Sequence, residues 1–151
     1  MVESSSSELE IESVEVLNIR SRHDDIHVEY LGTVDGSFSL SDVEIGELSG
    51  RMNADSKFGS LRVKRVMRGV EKVDLRSNKT DIVMGLAPDY DGRFDLDIND
   101  NEILTYPKDM QITDSGLDSE KRTFVRGTIG TGTESVVMIT AENGHVQIGD
   151  R

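Results

Sequence analysis

Apolar residues recur along this chain in one fixed spacing. An apolar position is followed two residues later by another, and two later by a small residue. After a further five come two more apolar positions, again two apart. The copies are Leu17, Ile19, Ser21, Ile26, Val28; Met52, Ala54, Ser56, Leu61, Val63; Val73, Leu75, Ser77, Ile82, Met84; and Val137, Ile139, Ala141, Val146, Ile148. Phe94, Leu96, Ile98 and Ile103 make a fifth, with Ile98 in the small position and Thr105 in the last apolar one. Period two with polar neighbours marks a strand that buries one face. The step of five is odd, so a continuous strand would put its two ends on opposite faces, and the chain must turn there. The intervening residues suit a turn: Arg22-His-Asp-Asp25, Lys57-Phe-Gly-Ser60, Asn78-Lys-Thr-Asp81 and Glu142-Asn-Gly-His145 are rich in residues that bond their own main chain or accept left-handed backbone. Each copy therefore predicts a strand, a sharp corner, and a second strand facing the same core.

Register carries the next level. The copies at Met52, Val73 and Phe94 start 21 residues apart, Phe38 lies 21 after Leu17, and Val137 lies 43 after Phe94, near two such periods. An all-strand unit repeating near 21 residues predicts an all-β chain, a single-stranded β-solenoid of about six coils. At about 4.8 Å per coil that is a rod about 30 Å long. A β-sandwich of ordinary hairpins is the alternative, because it too is built from period-two strands and polar turns. The constant odd step favours the solenoid.

Composition agrees with a thin core. Of 151 residues 35% are hydrophobic and 5% aromatic, with no Trp, which suits stacked coils better than a bulky sandwich interior. Net charge is −12, the wrong sign for binding phosphates, so nucleic acid and anionic membrane surfaces are disfavoured as partners. With no cysteine, disulfides, thiolate zinc sites and cysteine nucleophiles are excluded. No stretch is long or apolar enough to span a bilayer as a helix, and Met1-Val-Glu-Ser-Ser-Ser-Ser has neither the basic nor the apolar part of a signal peptide. Residues 1–13, rich in Ser and Glu, are expected as a flexible leader, although Leu9 and Ile11 alternate as an edge strand would. Residues 14–151 are expected as one solenoid domain. Within it 107–122 read as a long polar loop or an irregular coil, and the dense strand pattern returns from Phe124 to Ile148.

At the C-terminal end, Gly130-Thr-Gly132 followed by VVMITAENGHVQI resembles the closing signature of the bacterial putative-adhesin domain family, a family of unknown function described as autotransporter-adhesin-head-like. VDLRSNKTDIVMGL, FDLDIND and SGRMNADSKFGSLRV are similar to that family's internal coils. The resemblance spans roughly residues 14–149. It implies a β-solenoid that is exported or envelope-associated, hence extracytoplasmic, and it brings no catalytic residues. Where the family carries Tyr-Gly or Asn-Gly corners, this chain has His23-Asp-Asp25 and Lys79-Thr-Asp81.

Candidate chemistry is sparse. Asp95, Asp97 and Asn99 alternate with Phe94, Leu96 and Ile98, lining one strand face, and clustered oxygens suit a hard cation such as calcium. The run does not have the spacing of a calcium loop, and a solvated face explains it as well. His23, His27 and His145 sit at or beside corners with no sign of the convergence zinc demands. Gly127, Gly130 and Gly132 hint at a phosphate loop, but a strand rather than a helix follows, so they read as a turn. No nucleophile elbow surrounds any serine. Ser21, Ser56, Ser77 and Ala141 look steric, with the serines placed to share hydrogen bonds between coils. Tyr30, Tyr90, Tyr106, Phe38 and Phe58 either decorate a ligand-stacking face or seal corners.

These readings point to a non-enzymatic interaction or scaffolding domain with no cofactor; its partner is not identified by the sequence, an extended polysaccharide or protein at the cell surface being the candidate. Open coil ends add a capacity for end-to-end self-association. One alternative is a β-helical polysaccharide-active enzyme, for which Arg62, Lys64, Arg65 and Arg68 supply the basic charge. A cytoplasmic solenoid that polymerises is another.

Overall fold

The computed structural model describes residues 2–99, 103–117 and 122–149. The five positions of each of the four full sequence copies are buried, from Ser77 at 8% exposure to Leu75 and Val137 at 0%. Their neighbours face out, as alternation requires. The chain is all-β, with no helix among the described residues. Its strands are β1 (Val2–Ser5), β2 (Glu8–Arg22), β3 (Asp25–Val66), β4 (Lys72–Leu86), β5 (Gly92–Ile98), β6 (Ile103–Thr105), β7 (Gln111–Leu117), β8 (Thr123–Ile129), β9 (Val136–Glu142) and β10 (His145–Ile148). All belong to one open sheet with the path β1-β2-β3-β4-β9-β5-β8-β7, and β10 lies between β4 and β6.

Pairing is parallel from β1 to β5. Val2 meets Ile19 and Leu17 meets Val34, 17 residues on in both cases, whereas Met52 meets Val73, 21 residues on. The 21-residue step read between Leu17 and Phe38 is therefore not a register. Phe38 lies beside Ser21. The later step is longer because the chain makes an extra turn at Met67–Val70, closed by the Val70 N–H on the Met67 carbonyl at 3.3 Å. β3 has 42 residues, which would run about 140 Å if straight. Instead it folds back on itself, so that the Ser49 hydroxyl donates to Leu31 O and the Ser60 hydroxyl to Asp42, each 18 residues away.

The bends have a common cause. Ser6, His23, Leu40, Phe58, Lys79 and Asn143 all have φ between 52° and 57°, and each is the second residue after the small or equivalent corner position. A left-handed residue at the same place reverses the side-chain alternation, which is how an odd step keeps both arms facing one core. None of the six is glycine, so each carries backbone strain of about 1–2 kcal/mol.

Three sequence expectations change. Residues 2–13, expected as a leader with an edge strand as the other option, hold β1 and the start of β2: Val2–Ser5 pair with Ile19–Arg22, and Leu9 and Ile11 with Ile26 and Val28, because their alternation extends the same ladder. The region 107–122 contains β7, a fully exposed strand paired antiparallel with β8. Finally, strand order departs from chain order: β9 sits between β4 and β5, parallel to both, with Val73 on Val137 and Val137 on Phe94.

Candidate functional site

The acidic strand β5 is flanked by β8, whose antiparallel register sets Asp95 opposite Arg126 and Asp97 opposite Phe124. Arg126 approaches Asp95 at 3.6 Å. Arg122 reaches Asp97 at 2.7 Å, Glu142 at 2.9 Å and the Ala141 carbonyl at 3.3 Å, and its side chain is only 15% exposed. These partners, Asp97 foremost, hold the Arg122 guanidinium charged by raising its pKa. Asn99 instead joins Asn143, donating through Nδ2 to its Oδ1 at 3.3 Å. Asp95 is thus tied to Arg126 of the adjoining strand and Asp97 to Arg122 just before it, and Asn99 is turned to another corner. Among the described residues no three His, Asp or Glu side chains are grouped to hold a metal ion.

The glycine-rich stretch does form an anion cradle, and a side chain of the protein fills it. Gly130 and Gly132 adopt φ of 72° and 73°. Around them the Asp91 carboxylate accepts from the Thr131 hydroxyl at 2.7 Å, the Thr131 N–H at 2.9 Å and the Thr133 N–H at 3.1 Å. These bonds, the Thr131 hydroxyl above all, lower the Asp91 pKa to about 2. Next to it Tyr90 is 1% exposed, and its hydroxyl donates to Ser135 Oγ at 3.0 Å. Burial raises the Tyr90 pKa to about 12. Arg68 grips Glu134 through Nε and Nη2, both at 2.8 Å. The linker between β8 and β9 is thereby fastened to the Met67–Val70 turn and to the loop before β5. Gly127 lies apart, within β8, against Met110.

The inner corner positions carry a polar network that pattern reading missed in part. Asp24 is 2% exposed. It accepts from the Ser21 hydroxyl at 2.6 Å and the Ser7 N–H at 2.8 Å, while its own N–H donates to Ser41 Oγ at 3.2 Å. Burial opposes its ionisation, but the bonds from Ser21, Ser7, Ser4 and Arg22 outweigh that and hold its pKa below the usual value. Ser21 and Ser41 bond across neighbouring strands at 2.9 Å, and Thr80 donates to Ser56 at 3.2 Å. Hydrogen bonding between corners is therefore real there, whereas Ser77 Oγ has no partner among the described residues. In sequence Asp24 looks like its exposed neighbour Asp25, and only its alignment with Thr80 in the corner marks it as inward.

The histidines do not converge. His23 and His145 are exposed at separate corners, and His27 lies 3.2 Å from Glu29 and 3.7 Å from Glu44. Glu44 in turn binds Lys64 at 2.9 Å, which lowers its pKa. Nor do the aromatics form one face: Tyr90 and Phe38 are core residues, while Tyr30, Tyr106 and Phe58 are exposed. Phe58 carries the Lys79 ammonium 5.3 Å from its ring centroid. Of the basic residues, Lys64 and Arg68 are engaged in the ion pairs above.

No family model matches the chain, and no curated protein matches it. Among solved structures it is similar to one described as a "putative cell adhesion protein" from Clostridium sporogenes, at 11% identity and a TM-score of 0.43, with 99% of this chain and 93% of that one covered.

Proposed function

We propose that the sheet is wound as a β-solenoid, each pass of the chain forming one rung. On this reading the domain is a non-enzymatic, adhesin-like interaction or scaffolding module of a bacterial exported or envelope protein. The observation that supports it is the register. Parallel, in-step pairing stacks equivalent outward positions into columns, such as Asp55, Arg76, Thr140 and Asp97. Another runs Asn53, Asp74, Met138 and Asp95, with Arg126 added across the antiparallel pair of β5 and β8. At about 4.8 Å per strand such columns offer evenly spaced charges and hydrogen-bonding groups to an extended partner. Exposed Arg76, bonded to Asp55 at 2.6 Å and Asp74 at 2.9 Å, stands in the middle of this face. The partner we assign is an extended polysaccharide or protein chain, and the extracytoplasmic compartment follows the family resemblance of the C-terminal run.

The test is a glycan and peptide array probed with the full chain and with an Arg76→Ala, Asp55→Ala double variant, followed by a turnover assay on every hit with and without calcium. Binding to extended ligands that the double variant loses, with no turnover, is expected. Cleavage of a bound polysaccharide would replace this reading with an enzymatic one, and binding unaffected by the double variant would move the site elsewhere.

A further inference from the structure

β4 and β5 are successive in the chain and carry matching patterns, Val73, Leu75 and Phe94, Leu96, yet they do not touch as strands. β9 fills the slot between them, and β10 extends it between β4 and β6. β9 pairs with β4 from Lys72 on Val136 to Asn78 on Glu142, and with β5 from Arg93 on Val136 to Ile98 on Ala141. β10 does the same between β4 and β6. The inserted segment buries Val137, Ile139, Ala141, Val146 and Ile148 at 0–1% exposure. It thus supplies both ladders and a full layer of core to two strand edges that would otherwise be bare.

We propose that residues 136–148 are a donor rung, and that the slot between β4 on one side and β5 and β6 on the other accepts the same segment from a second copy of this chain. The occupant follows from the structure, since the slot is already shaped for this segment and an identical copy makes every one of its bonds. The linker that must swing out is short and glycine-containing, Gly130–Ser135, and about six extended residues reach about 20 Å. What keeps exchange slow is the fastening described above: Asp91 on Thr131 and Thr133, Tyr90 on Ser135, and Arg68 on Glu134. Short constrained hinges of this kind are where identical elements trade places between protomers. The inference rests on strand register alone and is independent of any ligand.

Because the chain has no cysteine, exchange can be trapped cleanly. Asp74 and Met138 are direct partners across β4 and β9. An Asp74→Cys chain and a Met138→Cys chain, distinguishable by tag mass, are mixed, held a few degrees below the unfolding midpoint, cooled and oxidised. The control mixture pairs Asn53→Cys with Asp74→Cys, partners across β3 and β4 where no separate segment is inserted. Donor exchange yields at least tenfold more mixed disulfide dimer in the first mixture than in the control, and Asp91→Ala added to both chains speeds its appearance. If Asp91→Ala does not fold, the mixtures in the otherwise unaltered chain still decide. Equal yields in the two mixtures, or no mixed dimer in the first, would overturn the proposal.

Discussion

Gly59 and Gly69 both have positive φ, 138° and 96°, so alanine at either meets comparable backbone strain. Their surroundings differ. A Cβ on Gly69 would meet nothing within 4 Å, whereas one on Gly59 would lie 2.1 Å from the Ser41 carbonyl oxygen and 3.0 Å from Ser41 C and N. Gly69→Ala therefore measures strain alone, about 1–2 kcal/mol, partly offset by the stiffer unfolded chain. Gly59→Ala adds an overlap of about 1 Å with main chain of an earlier stretch of β3, which cannot rotate away as a side chain could. Overpacking of that size costs about 1–3 kcal/mol, and opening one or two neighbouring ladder bonds adds about 1 kcal/mol each. The total is about 3–5 kcal/mol for Gly59→Ala against about 1 kcal/mol for Gly69→Ala. With an unfolding entropy of about 2.1 cal/mol/K per residue, 1 kcal/mol shifts Tm by about 3 °C in a chain this long. Thermal melts followed by far-UV circular dichroism should show Gly59→Ala about 10–15 °C below the parent and Gly69→Ala within about 5 °C of it. Equal midpoints for the two variants would refute the close approach of Gly59 to Ser41, and with it the stacking of β3 upon itself.

Acid should act through Asp91. Its folded pKa of about 2 lies below the ordinary 3.8, so its stabilisation is complete above that ordinary value and drains away as pH falls towards 2. Asp91→Asn should melt below the parent at pH 7, with the gap narrowing from pH 4 downwards; a gap constant with pH would contradict the cradle. Tyr90→Phe removes a buried hydroxyl bond to Ser135 and should lower Tm by about 3–6 °C, an expected loss of about 1–2 kcal/mol read from the same melts. Leu40→Asn places a residue tolerant of left-handed backbone at φ 54° and removes an exposed apolar side chain, so a gain of about 0.5–1 kcal/mol in urea unfolding is expected. Arg122→Ala should loosen β8 against β5 and β9, seen as faster amide exchange at Phe124–Arg126, and added salt should shrink the difference from the parent.

Much of this architecture was legible because burial writes itself into alternation. Met52, Ala54, Ser56, Leu61 and Val63 announce two strands and a corner without help from the rest of the chain, and all five are buried. What alternation does not encode is which pass lies beside which. Val137 and Ile139 look the same whether they follow β5 or slip in before it, since one apolar ladder fits another. The left-handed Leu40 and Phe58 were also hidden, because neither side chain favours that conformation and only the fold around them imposes it. Asp91 reads as one more acid in an acidic run until Gly130–Thr133, about 40 residues on, folds over it. The cation reading of Asp95 and Asp97 missed Arg122 and Arg126 for the same reason: their positions depend on an antiparallel register that short, partly polar strands leave unmarked.

The displaced order of β9 has a consequence for synthesis. A ribosome adding about 5–20 residues per second makes Val137 roughly 2–9 s after Phe94, the neighbour it must cover. During that interval β4 and β5 have both emerged with bare edges and matching periodicity, free to zip directly onto each other. Such a premature pairing would be locally satisfactory and globally wrong, and it must be undone before the late segment can enter. Where that pairing forms, completion of the domain would be paced by its removal, and holding that vacancy open is a task for which a chaperone that shields strand edges would be suited.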